Sequence, residues 1–381
     1  MKKAPVNQYI SILLITLILF SLLTVYASSA ARREVTGISA KAAVLYEPET
    51  GSFLYKKNAD TPLPMASTTK IMTALVALDN ASLTETVKIH DLAVGVEGSS
   101  AYLKRGDEVT MEELLYALLL RSANDAAAAI AFHIGGSIEG FAILMNEKAE
   151  ELGLCSTNFQ NPHGLDGKDH YTTAKELAII ASHALDNAVF KEIVSTYKKT
   201  FNYGDRQSTY INHNKLLNLY DGCIGVKTGF TKKSGRCLVG AAEKDGLTFI
   251  TVTLDAPNDW SDHEKLFDIG YSTLEKISFA KAREYRYSLP VIDGVSETVT
   301  VSNQEELSKI LERGEYKIDE HIKLSKFVTA PIKEGDVLGE VCYTIDGEYV
   351  GSVRLVAERS VASVGKRGFF ERITDIFKAM R

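Results

Sequence analysis

The sequence predicts an α+β fold: an antiparallel sheet with helices, followed by a small β-rich domain. Three observations carry this. Short apolar runs at 42–46 and 52–55 flank a turn at Gly51 and read as a β-hairpin. Helical segments fill the middle of the chain. Three strand-like stretches, at 222–228, 236–242 and 247–254, then read as an antiparallel meander.

The elements follow in order. Pro62 and Pro64 break the chain after the hairpin, and a helical segment runs from about 68 to 79. Residues 111–120 form an amphipathic helix, with Thr110 as N-cap and Glu113 three residues on, as in a capping box. A second helical run, 125–134, stops at Gly135-Gly136, and a third, 141–152, stops at Gly153. The first domain spans 36–276. From 279 to 362 short β-branched runs alternate with charges and turns, which marks the second domain.

At 381 residues the chain suits two domains plus terminal segments. The net charge of −6, with no basic face over the main body, argues against nucleic acid as a partner. Cys155, Cys223, Cys237 and Cys342 form no C-x-x-C pair, so neither a disulfide scaffold nor a zinc site is expected. Cys223 and Cys237 flank one turn, and the residues leave open whether they are bonded or free.

Both ends read as membrane-related. Lys2 and Lys3 precede an apolar run, about 9–27, and small residues at 27–31 resemble a cleavage site, so 1–31 reads as an export signal; an uncleaved anchor is the alternative. Either one places the rest of the chain outside the cytoplasm. In 366–381, Phe369, Phe370, Ile373, Ile376, Phe377 and Met380 recur at helical spacing, beside five basic and two acidic residues. An apolar face rimmed by cations suits a helix lying in a membrane surface.

Three short motifs carry the chemistry: Ser67-Thr68-Thr69-Lys70, Ser122-Ala123-Asn124 and Lys227-Thr228-Gly229. A serine needs an adjacent base to become a nucleophile. Lys70 sits one turn away on the same face, and burial with a nearby cation such as Lys227 would keep it neutral. Ser122 can relay a proton, and the Asn124 amide can hold a substrate amide. Lys227 and Thr228 suit a terminal carboxylate, and Gly229 lets a substrate approach the backbone. Each triplet alone is a weak signal; in this order and spacing they form a known set.

The sequence here resembles the low-molecular-mass penicillin-binding proteins, the D-Ala-D-Ala carboxypeptidases of peptidase family S11. The likeness extends through Pro64-Met65-Ala66 and Ile71-Met72-Thr73, Asp125-Ala126, Asn161-Pro162-His163-Gly164-Leu165-Asp166, His170-Tyr171-Thr172-Thr173-Ala174 and Phe230-Thr231. It covers about 38–275, and the second domain more loosely. The resemblance implies a penicillin-binding transpeptidase/β-lactamase-like domain. It implies Ser67 as acylated nucleophile, Lys70 as general base and Ser122 as proton shuttle. Asn124, Lys227, Thr228, Gly229 and Phe230 would bind substrate, with the N–H groups of Ser67 and Phe230 as oxyanion hole. The substrate would be peptidoglycan stem peptides ending in D-Ala-D-Ala, with β-lactams as covalent inhibitors and no metal or organic cofactor. A serine β-lactamase and a catalytically silent penicillin-binding scaffold are the alternatives; cleavage of peptide cross-links by the same site stays open. His163 reads as a loop residue, with a base near the site as the alternative; Asp125 reads as a helix N-terminal stabiliser, and Arg236 as a strand-surface cation, with assistance to carboxylate binding as the alternative.

Overall fold

The computed structural model describes residues 37–203 and 206–365. The expected export segment, 1–31, and the expected terminal helix, 366–381, lie outside the described residues. The chain divides into an N-terminal unit, Met1–Ser39, of which only 37–39 are described, and a large unit from Ala40 onward that holds every element below.

The large unit opens with β1 (Ala42–Glu47) and β2 (Ser52–Lys57), the hairpin expected from the apolar runs around Gly51. A 3-10 turn, Ala66–Thr69, leads into α1 (Lys70–Asn80). After β3 (Thr86–Lys88) and β4 (Glu108–Thr110) comes α2 (Met111–Leu120). The Thr110 hydroxyl accepts from the Glu113 N–H at 3.2 Å, which satisfies one of the free donors at the helix start. α3 (Asn124–Gly135) ends at Gly136, whose φ of 71° suits glycine, and α4 (Ile138–Glu151) starts under a Ser137 cap. α5 (Ala174–Asp186) is capped by Thr173 and α6 (Ala188–Ser195) by Asn187.

The chain continues through β5 (Lys198–Tyr203), β6 (Arg206–Ile211) and the short α7 (Leu216–Leu219). The meander follows as β7 (Cys223–Thr231), β8 (Gly235–Lys244) and β9 (Leu247–Leu254), and α8 (Asp259–Thr273) closes this part. The sheet order is β2-β1-β9-β8-β7, with its adjacent pairs antiparallel, so β7 is an edge strand. α3 is buried from Asn124 to Ala131, and its alanines let α1, α2 and α4 pack closely around it. Among the described residues no single helix is long and apolar enough to cross a membrane.

The β-rich part is built from β10 (Leu274–Ala280), β11 (Arg286–Ile292), β12 (Thr298–Asn303), β13 (Leu307–Glu312), β14 (Ile318–Leu324), β15 (Val328–Thr329), β16 (Val337–Ile345) and β17 (Glu348–Ala357). Six strands form a sheet in the order β14-β16-β17-β12-β11-β15, while β10 pairs with β13. Val299, Val301, Val341, Val353 and Leu355 fill its core, distinct from the core beneath the five-stranded sheet.

One buried contact ties α8 to that sheet. The His263 ring lies 2.5 Å from the Thr251 hydroxyl and 3.0 Å from that of Thr253. Gly240 on β8 makes the room: a Cβ there would stand 2.6 Å from the His263 Nδ1. Burial pushes the His263 pKa down to about 3. The unfolded chain binds a proton below about pH 6.5 and the folded chain does not. Stability is therefore full above that pH and falls as pH drops toward 3. Each such group contributes about 1.4 kcal/mol per pH unit. The His263→Gln variant is expected to show a shallower loss of urea-unfolding free energy between pH 6 and 4. A slope equal to that of the wild type would contradict the assignment.

Candidate active site

The three motifs meet at one end of the edge strand. Ser67 sits in the 3-10 turn, and the α-helix begins only at Lys70. The helical segment expected from about 68 thus starts two residues later, and the tighter turn before it has a consequence. Side chains three apart eclipse one another in a 3-10 turn. The Lys70 Nζ accordingly lies 3.0 Å from the Ser67 Oγ. Hydroxyls of Thr68 and Thr69 donate to the carbonyls of Met65 and Ala66 and hold the turn shut.

Lys70 is fully buried. Its Nζ also donates to the Asn124 Oδ1 at 2.6 Å and to the His163 carbonyl at 2.5 Å. Burial holds its pKa well below the usual 10.5; the charge of Lys227 adds to this and that of Asp125 opposes it. Lys227 is buried as well, and burial pushes it down to about 7. Its Nζ donates to the Thr228 carbonyl at 3.0 Å. Two buried amines near each other give an electrostatic reason for a free amine beside Ser67.

Two loops wall this centre. In the loop 161–170, the Asn161 Oδ1 accepts from the Gly164 N–H at 2.7 Å. Gly164 has a φ of +85°, and a Cβ there would meet the Ala66 oxygen at 2.0 Å, so only glycine allows this approach. His163 acts through its carbonyl. Its ring is held neutral, with a pKa near 3, first by burial and then by Lys70 and His170. The His170 Nε2 lies 2.8 Å from the Thr69 hydroxyl, and Thr231 on β7 donates to Asp166 at 2.9 Å. The opposite loop is stapled by Asp125, whose carboxylate accepts from the Ala101 and Leu103 N–H groups and the Ser100 hydroxyl. Asp125 thus caps a neighbouring loop as well as its own helix start.

Ser122 lies between α2 and α3 with a φ of 62°, an unusual value for a non-glycine residue, and it faces the cleft. Asn124 bridges two partners, Lys70 through Oδ1 and the Glu97 carbonyl through Nδ2 at 2.5 Å. A side-chain amide retains one further acceptor and one further donor site, so a substrate amide must share it with these partners.

The free edge of β7 forms the floor. Phe230 stands opposite Arg236 on β8, and the Arg236 carbonyl accepts from Ala256, away from β7. In an antiparallel ladder this makes Phe230 and Arg236 a non-hydrogen-bonded pair, so the Phe230 N–H points to the open edge. Thr228, two residues back, presents its backbone the same way. At Gly229 a Cβ would come within 3.0 Å of the Ser67 nitrogen, which brings β7 and the nucleophile turn into contact.

A cavity of about 420 Å³ opens over this floor, lined by Ser67, Ser122, Thr228, Gly229 and Phe230. Its outer wall holds residues that no motif marks: His213, Lys215, Asp259 and Trp260. Arg236 joins them, ion-paired to Asp259 at 2.9 Å, and is a cleft residue as well as a strand-surface cation. A larger cavity, about 690 Å³, lies in the β-rich part and holds none of the motif residues. Cys223 stands opposite Ala242 and Cys237 opposite Gly229, far apart along the hairpin, and all four cysteines are free thiols.

Comparison with known proteins agrees with this geometry. The sequence profile of the D-alanyl-D-alanine carboxypeptidase family, peptidase S11, matches residues 27–258. That of the penicillin-binding protein 5 C-terminal domain matches 275–363. The chain is similar to the D-alanyl-D-alanine carboxypeptidase DacF of Bacillus subtilis, 33% identical, covering 94% of this chain and 97% of the relative. Among solved structures it resembles penicillin binding protein 5 from Haemophilus influenzae, with a TM-score of 0.62 at 28% identity over 86% of this chain and 99% of the other. DacD from Francisella tularensis gives a TM-score of 0.61 at 26% identity over 87% and 95%. With the three motifs gathered around one buried lysine and both domains matched, the chain belongs to the D-alanyl-D-alanine carboxypeptidase family, peptidase S11.

Proposed function

We propose that the chain removes the terminal D-alanine from peptidoglycan pentapeptides through an acyl-enzyme on Ser67. The observation that carries this is the Ser67 Oγ at 3.0 Å from a buried Lys70 whose ammonium form is disfavoured. The free amine takes the Ser67 proton as the oxygen attacks the carbonyl of the penultimate D-alanine. Negative charge develops on that carbonyl oxygen, and the N–H groups of Ser67 and Phe230 receive it. Asn124 orients the peptide, and Lys227 and Thr228 hold the carboxylate of the departing residue beside Gly229. The proton passes through Ser122 to the leaving nitrogen, and D-alanine departs. Water then attacks the ester, Lys70 takes its proton, and Ser67 is restored. A β-lactam presents a strained amide and a carboxylate to the same groups and acylates Ser67 in the same way.

The reading extends to location. The apolar N-terminal run and the amphipathic segment 366–381 support an exported protein held on the outer face of the cell membrane by its C-terminal helix. Vesicles containing anionic lipid are expected to sediment the mature protein; a variant ending at 365 should stay in solution. Equal sedimentation of both would remove the helix from this role.

The enzymatic reading is tested by D-alanine release from a pentapeptide ending in D-Ala-D-Ala. The wild type should release it, and Ser67→Ala should lose activity by roughly 10⁴-fold or more while keeping its fold. Release that persists in the variant would identify a different nucleophile. A folded wild type that releases none would favour the silent scaffold.

A further inference from the structure

The larger cavity, about 690 Å³, lies in the β-rich part and plays no role in the chemistry above. It sits over β12, where Ser302 pairs with Arg286 of β11 on one side and with Val356 of β17 on the other. Two arginines and two glutamates line it: Arg283, Arg286, Glu334 and Glu358. One pair of charges is satisfied within the protein. The Arg286 Nη2 donates to the Glu358 Oε2 at 2.9 Å. Arg286 first and the buried Ser302 hydroxyl next hold that carboxyl below its usual range.

The other two charges are not satisfied. Among the described residues Arg283 has no ion-pair partner, and its Nε reaches only the Gln304 Oε1, at 3.5 Å. The Glu334 carboxylate has no partner among them either. Each is carried on a backbone segment with fixed hydrogen bonds. Asn303 is fully buried, and its carbonyl accepts from the Arg283 N–H at 2.8 Å. Its Nδ2 donates to the Lys281 carbonyl at 2.8 Å, and its Oδ1 accepts from the Tyr285 N–H at 2.9 Å. The resulting turn gives Arg283 a φ of +61°, a conformation that side chains other than glycine seldom take. On the second segment, the Glu334 N–H donates to the Ser360 hydroxyl and the Gly335 N–H to the Ala357 carbonyl, both at 2.9 Å.

Two fixed, unpaired charges of opposite sign in one cavity are complementary to a ligand that carries both signs. The free Nη donors of Arg283 match a carboxylate, and Glu334 accepts from an ammonium. A phosphate would meet Glu334 and Glu358 as like charges. The volume exceeds what a single amino acid fills and suits a short peptide.

We infer that this cavity is a second binding site, for a zwitterionic peptide, in which Arg283 holds a carboxylate and Glu334 an ammonium. The ligand is a peptidoglycan stem peptide before cross-linking, which carries carboxylates and the free amine of its diamino acid. This rests on the reading that peptidoglycan peptides are the substrate. A polymer held here presents its neighbouring stems to Ser67 at a raised local concentration.

The test uses the mature protein with Ser67 acylated by benzylpenicillin, so that the catalytic cleft is filled. Binding of the stem tripeptide L-Ala-γ-D-Glu-meso-diaminopimelate, which lacks D-Ala-D-Ala, is followed by ligand-observed NMR titration. A dissociation constant of roughly 1 mM or tighter is expected. Arg283→Gln and Glu334→Gln should each weaken it roughly 10-fold. With the tripeptide's amines acetylated, Glu334→Gln should change binding less than about 2-fold, while Arg283→Gln keeps its effect. No binding by the acylated wild type, or binding that neither variant weakens, overturns the inference; D-alanine release by the unacylated protein then leaves the carboxypeptidase reading intact. Free D-alanine or inorganic phosphate binding as tightly as the tripeptide overturns the peptide as ligand. A folded protein that is not acylated and releases no D-alanine overturns the reading itself, and the ligand assigned here with it. Should Arg283→Gln fail to fold, Glu334→Gln on the free and acetylated peptides decides: equal binding to the wild type in both means the inference is wrong.

Discussion

The site depends on one constraint, the burial of the Lys70 amine. A buried ammonium costs several kcal/mol unless acceptors surround it. Three acceptors do: the Ser67 hydroxyl, the Asn124 side chain and the His163 carbonyl. Each comes from a different part of the chain, so the amine fixes the relative positions of the nucleophile turn, α3 and the loop 161–170. Burial and the second amine of Lys227 then oppose protonation. The three acceptors place Lys70 and by themselves favour its ammonium, whereas burial and Lys227 bias it toward the form that acts as a base.

The surrounding framework serves close approach. Gly164 lets the loop carbonyls reach the Ala66–Thr69 turn, and Gly229 brings the edge strand against the backbone of Ser67. The alanine face of α3 lets the helices pack tightly beneath, which holds Asn124 at its first position. Because β7 ends the sheet, its outward N–H and C=O groups remain available to an extended peptide. The buried side of the site carries a polar network around Lys70, and the front is an open cleft lined by cations and the buried Asp259 carboxylate.

Much of this was legible from residue order because its causes are local. The α2 helix runs over the residues that Thr110 and the apolar spacing predict, and β9 over its β-branched run. The motif residues Ser67, Lys70, Ser122, Lys227 and Thr228 do converge, since a serine and an amine that must interact leave a local spacing. Other features depend on contacts distant in sequence. The 3-10 turn at Ser67 is set by Thr68, Thr69 and the packing of Gly164, not by a cap. The partnership of Arg236 with Asp259 and Trp260 joins a strand to a helix start beyond an intervening strand, and no periodicity marks it. Asn124 is read from its motif as a substrate ligand. Its contacts with Lys70 and Glu97 arise only once α1 and the segment carrying Glu97 pack against it.

The central claim is that Lys70 is a base because burial and Lys227 disfavour its proton. The most direct measurement is the pH dependence of Ser67 acylation by benzylpenicillin, followed by intact mass, in the wild type and in Lys227→Gln. The account predicts an acid limb well below the ordinary lysine range in the wild type. That limb should move to higher pH in the variant, because one of the two causes of the lowered pKa has been removed. A wild-type limb near pH 10.5, or one that stays in place when the Lys227 charge is gone, would contradict it.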